Sequence, residues 1–376
     1  MRIVNSERKI KKPLVWIEIN KANLLKNIAQ MKRITKPSKI MAVLKANAYG
    51  LGVLGVSNTL QKYIDVFGVV GIKEAITLRK GGITKPIVNL GIYSFEDGEK
   101  LVKNQINPTI FTYTMLRNFE SVSRKLKMRS GVWIKIDTGL GRLGVPYQDA
   151  LKFIRAVSQS KNIKIEGVLS SFTEEKKFDK IQFKRFIAIK ESCQKEKIKI
   201  PLWSIASSEA AFLFSESLLD MVRLGISLFG FYPSLEARRK STIDLFPVVS
   251  FKTIIACIKE LEKGEGIFYR RKFIAKRKTR IAILLPGYSY GLDSRLVNGG
   301  KVIIGGVKYP LVGGINMTNC FVNIGSKKTI KAGDEVVILG KQKGKEIKLE
   351  EICRSIKQNN YEFLSRIPEK VDRRYV

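Results

Sequence analysis

Histidine is absent from all 376 residues. That excludes Ser–His and Cys–His nucleophile pairs, His-ligated zinc or haem, and imidazole as a general base. Proton chemistry must run on Lys, Tyr, Cys, Asp or Glu. Acidic residues are scarce: 33 Asp plus Glu face 69 Lys plus Arg, a formal charge of +36. Such a field favours polyanions and acidic ligands over the whole surface. Most of the basic residues stand singly along helix faces and turns, as on a solvated surface, and the densest stretch is Arg270 to Arg280, RRKFIAKRKTR. No aromatic-interleaved basic motif, zinc module or helix-turn-helix signal accompanies them. No specific nucleic-acid partner is expected, only a salt-sensitive background affinity. Cys193, Cys257, Cys320 and Cys353 lie far apart without a CxxC pair, which points to reduced thiols in a cytoplasmic protein and to no metal site. The opening MRIVNSERKIKKPLVWIEIN is basic but has no apolar run long enough for a signal peptide. No window approaches roughly 18 uncharged apolar residues, so no membrane span is expected.

The length favours about two domains, and a 44% hydrophobic content suffices for real cores. Up to about residue 235, short continuous runs of Val, Ile and Leu alternate with helix-period segments. The runs are Ile40–Leu44, Val66–Val70, Ile87–Leu90, Thr109–Phe111, Val132–Ile136, Ile165–Leu169, Leu202–Ile205 and Met221–Leu224. Continuous rather than alternating runs suit strands buried on both faces. Between them, Asn20 is placed to cap a helix with Leu24, Leu25, Ile28 and Met31 on one face. A second helix carries Leu151, Ile154 and Val157, and a third runs from near Phe178 to near Cys193. Eight strands interleaved with helices suggest an α/β fold of the (βα)8, TIM-type barrel kind, with a doubly wound open sheet as competitor because strand count cannot show closure. After Thr242 the runs Val248–Ile258, Ile281–Leu285, Lys301–Ile304 and Val336–Leu339 are separated by glycine-bearing turns, which reads as a mostly β domain. One late helix places Leu349, Ile352 and Ile356 on a stripe. The expected domains are 12–240 and 241–376.

In a (βα)8 barrel the reactive groups gather where strands end. The first strand ends in Lys45, followed by Ala46-Asn47-Ala48-Tyr49-Gly50. A lysine there is a solvated cap or an amine held in a low-dielectric mouth, able to bond a carbonyl cofactor. The fifth run carries Lys135 and leads into Asp137-Thr138-Gly139-Leu140-Gly141-Arg142, and the last contains Arg223 before Gly225-Ile226. Two lysines and an arginine at one mouth make a site for anions, and free N–H groups after Arg223 could receive a phosphate.

The segment Ala42–Gly50, AVLKANAYG, resembles the pyridoxal-phosphate lysine motif of alanine racemases. VWIKIDTGLGRLG at Val132–Gly144 and VRLGISLFG at Val222–Gly230 are similar to the family's second signature and to its cofactor arginine with phosphate loop. GEGIFY at Gly264–Tyr269 resembles the segment bearing the catalytic tyrosine. PGYSYG (Pro286–Gly291), INMTN (Ile315–Asn319) and NYEFLSRIP (Asn360–Pro368) follow in the family's order. The likeness spans about residues 12 to 376. It implies a racemase of a small amino acid, alanine above all, that supplies D-alanine for peptidoglycan.

The resemblance also implies roles. Lys45 would hold pyridoxal 5'-phosphate and, once freed, act as base on one face of the α-carbon, with Tyr269 of the partner subunit on the other. The active unit would then be a homodimer with shared sites. Arg223 would face the pyridine nitrogen and, because a guanidinium keeps its proton, leave that nitrogen unprotonated. Tyr49, Ser208, Gly225, Ile226 and Tyr361 match phosphate-binding positions. Arg142, the backbone of Met317 and Tyr288 match the groups near the substrate carboxylate. Lys135 matches a lysine that is often carbamylated. The chain departs from the pattern at Leu51, Ser171 and Ser204, which stand where the family usually has histidine. Thr318 and Tyr290 stand in place of aspartates, and Arg270 follows Tyr269 where glycine is usual. Two other readings are a weakened or repurposed paralogue and a non-enzymatic pyridoxal-phosphate carrier. Carriers resemble only the first domain, so the second domain counts against the latter.

Overall fold

The computed structural model describes residues 2–4 and 13–376. Residue 12, where the first domain was expected to begin, lies outside the described residues, as does part of the segment read as lacking a signal peptide. The chain forms two compact units.

The first unit comprises residues 22–48 and 53–247. Its strands pair in parallel in the order Lys39–Val43, Val66–Val69, Ile87–Asn89, Ile106–Ile110, Ser130–Asp137, Ile163–Leu169 and Trp203–Ser204, and Met221–Leu224 returns beside the first. The last seam is spanned where Arg223 N–H donates to the Ala206 carbonyl at 3.0 Å and Ser207 bridges to Arg223. The sheet is therefore a near-closed barrel, not an open doubly wound one. Met41, Val66, Val88, Trp133, Leu169 and Met221 fill its interior. Trp133 requires Gly167 opposite it, since a Cβ there would overlap the indole ring. Helices cover the outside. Lys21–Thr35 buries Leu24, Ile28 and Met31, whereas Leu25 stays half-buried at the edge of the stripe. Ala150–Ser158 buries Ile154 and Val157, and Lys176–Lys195 runs two residues beyond the expected range at each end.

The second unit comprises residues up to Lys21, residues 49–52 and residues 248–376. Its axis is the strand Val249–Leu261, paired antiparallel with Thr279–Leu284, Glu335–Gln342 and Val15–Ile19. Lys301–Ile304, Val307–Ile315 and Cys320–Gly325 extend the sheet. Here the structure differs from the expected boundaries. VWIEI has the same apolar texture as the barrel runs, but its ladder partner lies more than 200 residues away, so its place is set by a non-local pairing that composition does not reveal. The junction falls at Pro247, not at residue 240. Helix Leu349–Ile356 buries Leu349, Ile352 and Ile356 as expected. The final strand, Asp372–Tyr375, lies parallel to Val15–Ile19. All four cysteines are free thiols. Among the described residues, no helix is long and apolar enough to cross a membrane, and no cluster of acidic or cysteine side chains is placed to hold a metal.

Candidate active site

The first barrel strand delivers Lys45 to the mouth through an unusual turn. Ala46, Asn47, Ala48 and Tyr49 all have φ between 53° and 56°, and Gly50 follows at 78°. Left-handed backbone costs an L-residue about 1–2 kcal/mol, so four in a row store about 4–8 kcal/mol. Backbone strain of this kind persists only where its surroundings over-determine it. Ala48 N–H donates to the Leu44 carbonyl at 2.9 Å, and Asn47 N–H to the Glu74 carboxylate at 2.7 Å. Asn47 Oδ1 in turn accepts from Val53 N–H at 2.8 Å. Sequence reasoning passed over Glu74, whose only sequence signal is a capping-box position at the start of helix Ile72–Lys80.

Lys45 is exposed at this mouth, yet its ammonium sits below the usual lysine range. Partial desolvation is the main cause, and the Arg142 and Arg223 charges add to it. Lys135, only 7% exposed, is lowered to about 8 by burial first, then by Arg223 and Arg142, with Asp137 opposing. Asp137 offsets the two arginines only in part, its effect on Lys135 being smaller than that of either. Its carboxylate accepts from the N–H groups of Gly139, Gly141 and Arg142 at 2.9, 3.2 and 3.1 Å, which wraps the Arg142 loop around it.

Arg223 is buried and lowered to about 10, by desolvation and then by Arg142. Its Nη1 donates to the carbonyl and the hydroxyl of Ser204, both at 2.9 Å. Its Nη2 donates to the carbonyls of Ser170 at 2.6 Å and Ile205 at 3.2 Å, and to the Ser171 hydroxyl at 3.3 Å. Beside it the buried Thr138 and Ser170 hydroxyls lie 2.9 Å apart, and Gln182 donates to Thr138 and to the Ser171 carbonyl, each at 3.1 Å. Gln182, on a helix outside the barrel, gave no sequence signal.

Just past Arg223, Gly225 N–H donates to the Ser208 hydroxyl at 3.1 Å, and the 3-10 turn Ile226–Phe229 begins. Ile226 and Ser227 occupy its first positions, where the turn offers their N–H groups no acceptor. The Ser207 and Ser227 hydroxyls are buried there without a hydrogen-bond partner. Orphaned buried hydroxyls beside free N–H groups call for an anionic acceptor, so this cradle fits a phosphate.

In the second unit, Tyr269 is 73% exposed on a short turn between Phe268, with φ 71°, and Arg270, with φ 57°. The left-handed backbone at Arg270 explains why glycine is the usual residue there. Phe268 anchors the turn, 5.7 Å from the Phe321 ring and 5.1 Å from Tyr269 itself. Tyr288 and Met317, 51% and 58% exposed, are brought together by bonds from Tyr288 N–H to the Asn316 carbonyl at 2.9 Å and from Ser289 N–H to the Met317 carbonyl at 3.0 Å. Tyr49 and Tyr361 meet with ring centroids 5.9 Å apart, and burial pushes the Tyr49 phenol up to about 12.

A (βα)8 barrel with a lysine on a strained turn after its first strand, and a buried arginine and a cradle fit for an anion after its last, makes a cationic site suited to small anionic ligands. Its family follows from sequence. The alanine racemase N-terminal domain profile matches residues 19–233, and the C-terminal domain profile matches residues 248–375. The alanine racemase of Clostridium tetani is 37% identical over 369 residues, covering 96% of this chain and 95% of that protein. The structure of alanine racemase from Clostridium difficile superposes with a TM-score of 0.91 at 31% identity, covering 97% of this chain and 96% of that one. That of Bacillus anthracis, solved with bound L-Ala-P, superposes with a TM-score of 0.90 at 26% identity, covering 98% and 96%. The chain belongs to the alanine racemase family.

Proposed function

We propose that this chain interconverts L- and D-alanine with pyridoxal 5'-phosphate held on Lys45. The observation that carries the reading is the strained turn that sets Lys45 in a barrel mouth with Arg142 and Arg223, the latter on the neighbouring strand that leads into a cradle fit for a phosphate. When bound, the cofactor supplies an electron-withdrawing ring that acidifies the amino acid's α-proton. The protein supplies everything else.

Ser208, Gly225, Ile226, Tyr49 and Tyr361 are the residues that would hold the cofactor phosphate. Arg223 would face the pyridine nitrogen and, because a guanidinium keeps its proton, would leave that nitrogen unprotonated. Arg142, Tyr288 and the Met317 backbone receive the substrate carboxylate. Lys45 exchanges a proton with the α-carbon from one face, favoured by its lowered basicity. Tyr269 does so from the other, contributed by the second subunit of a homodimer. Its exposure, and that of Tyr288 and Met317, leaves all three available to such a partner. At pH near 8 about half of the Lys135 amine is neutral and nucleophilic. It adds carbon dioxide with loss of one proton, and the carbamate gives Arg142 a negative partner. The protein acts in the cytoplasm and supplies D-alanine for peptidoglycan.

The test is direct. Purified protein given pyridoxal phosphate gains an absorbance band, borohydride fixes the cofactor to a peptide containing Lys45, and L-alanine becomes a mixture of enantiomers. A chain that gains no band overturns the reading. One that gains the band without racemising alanine points to a repurposed paralogue.

A further inference from the structure

We propose that the chain's own last strand, through Arg373 and Tyr375, is the positioning element that holds the Lys45 turn in its left-handed form and so sets how firmly the cofactor is kept. This rests on the reading of Lys45 and Tyr49 given above.

After Tyr49 the backbone passes through Gly50-Leu51-Gly52 before entering helix Val53–Leu60. All three carbonyls of that stretch are taken by two side chains from the last strand. The Gly50 carbonyl accepts from Arg373 Nε at 3.0 Å and from Nη2 at 2.8 Å. The Leu51 and Gly52 carbonyls share the Tyr375 hydroxyl, at 2.8 and 3.1 Å. The remaining Arg373 N–H groups tie down the carbonyls of Glu369 at 3.0 Å, Pro368 at 3.2 Å and Ile367 at 3.3 Å. One guanidinium thus knots the tail to the turn.

The strand itself cannot drift. Arg373 registers against Ile17 and Tyr375 against Ile19, and Val376 exchanges backbone bonds with Ile19 and Lys21, each at 2.9 Å. The fit is also steric. Gly50 and Gly52 have φ of +78° and +95°, and a Cβ would overlap the Leu364 carbonyl at the first and the Tyr375 hydroxyl at the second. Leu51 between them is fully buried. Tyr361, which meets the Tyr49 ring, belongs to the helix Asn360–Ser365 just before this tail.

A left-handed run of four L-residues relaxes unless both its ends are fixed. The barrel strand and Glu74 fix its beginning. The tail fixes its end. Without the tail, Tyr49 and Lys45 lose their setting although neither touches Arg373.

The experiment uses the full chain with Tyr375→Phe, which removes one oxygen, with Arg373→Lys, which keeps the charge but not the fork, and with Arg373→Gln. In cofactor-free protein, hydrogen exchange of amides between 45 and 53 should accelerate about tenfold in Tyr375→Phe and Arg373→Gln, while the strand Ser130–Asp137 keeps its protection. Titration with pyridoxal phosphate, followed by absorbance, should show about tenfold weaker retention. Arg373→Lys should recover less than half of the loss. Unchanged exchange over 45–53 in folded Tyr375→Phe protein overturns the proposal, as does unchanged retention beside accelerated exchange. If Arg373→Gln does not fold, Tyr375→Phe decides. A wild-type chain that gains no cofactor band overturns the function reading and the retention half of this proposal, while exchange still judges the clamp.

Discussion

Arg223 meets Ser204 twice: a single nitrogen, Nη1, donates to both the carbonyl and the hydroxyl of that serine at 2.9 Å. The chain without histidine supports its buried guanidinium on hydroxyls and carbonyls alone, among the acceptors found for it. None of these titrates near neutral pH. The arginine's charge is steadied by geometry, not by a counter-charge, and the Arg142 guanidinium works against it.

Ser204→Ala should therefore destabilise the protein by about 1.5–3 kcal/mol, the usual range for a lost hydrogen bond to a buried charge. Urea unfolding of cofactor-free protein measures this. Ser204→Thr, which keeps the hydroxyl, should recover most of the loss. A change in Ser204→Ala of only a few tenths of a kcal/mol would mean that the Ser204 carbonyl alone carries the contact.

Lys135 makes stability depend on pH in an identifiable window. Its folded pKa, about 8, lies below the ordinary lysine value of 10.5. Below pH 8 both states hold the proton and the folded state bears the full cost of burying it. Between about pH 8 and 10.5 the unfolded state binds more protons, so stability rises with pH. The rise totals about 3 kcal/mol when carbon dioxide is excluded. Lys135→Met should be more stable than wild type at pH 7, with the difference shrinking to nothing toward pH 10.5. Equal pH slopes in the two proteins would contradict the buried, uncompensated charge.

The eight barrel strands were legible because both of their faces are buried, which leaves continuous apolar runs. Their edges were less so. Ile106–Ile110 starts three residues before the run Thr109–Phe111 because Asn107 and Pro108 mask its beginning. Val15–Ile19 fell inside the expected first domain, 12–240, and only its pairing with Val249–Thr253 assigns it elsewhere. Within the site, Lys45, Arg142 and Arg223 could be read from motifs. The turn behind Lys45 could not, since Ala46-Asn47-Ala48-Tyr49 contains no glycine to signal positive φ. Glu74, Gln182, Arg373 and Tyr375 act through contacts 27 to 324 residues distant, and a single sequence carries no trace of such pairings.

If Lys45 and Tyr269 work from opposite faces, removing the phenol is asymmetric in its effect. Tyr269→Phe should slow α-proton removal from L-alanine at least about tenfold more than from D-alanine. Incorporation of solvent deuterium, followed separately from each pure enantiomer, measures the two rates. Equal losses from both would contradict the assignment of faces.

A shared-site dimer, as proposed, would behave in a way that no single-chain site can match. Lys45→Ala and Tyr269→Phe should each be nearly inactive alone. When the two proteins are unfolded together and refolded, random pairing makes half of the dimers mixed. In each mixed dimer two-fold symmetry sends both lesions to one site and neither to the other. One intact site in half of the dimers amounts to roughly a quarter of wild-type activity per site. If Tyr269 instead served the lysine of its own chain, every site would keep one lesion whatever the pairing, and mixing would restore nothing. Native mass spectra that contain heterodimers beside an assay with no gain over either parent would rule out the shared site. Recovery near a quarter, scaling with the heterodimer fraction as the mixing ratio is varied, would locate the two acid–base groups on different subunits.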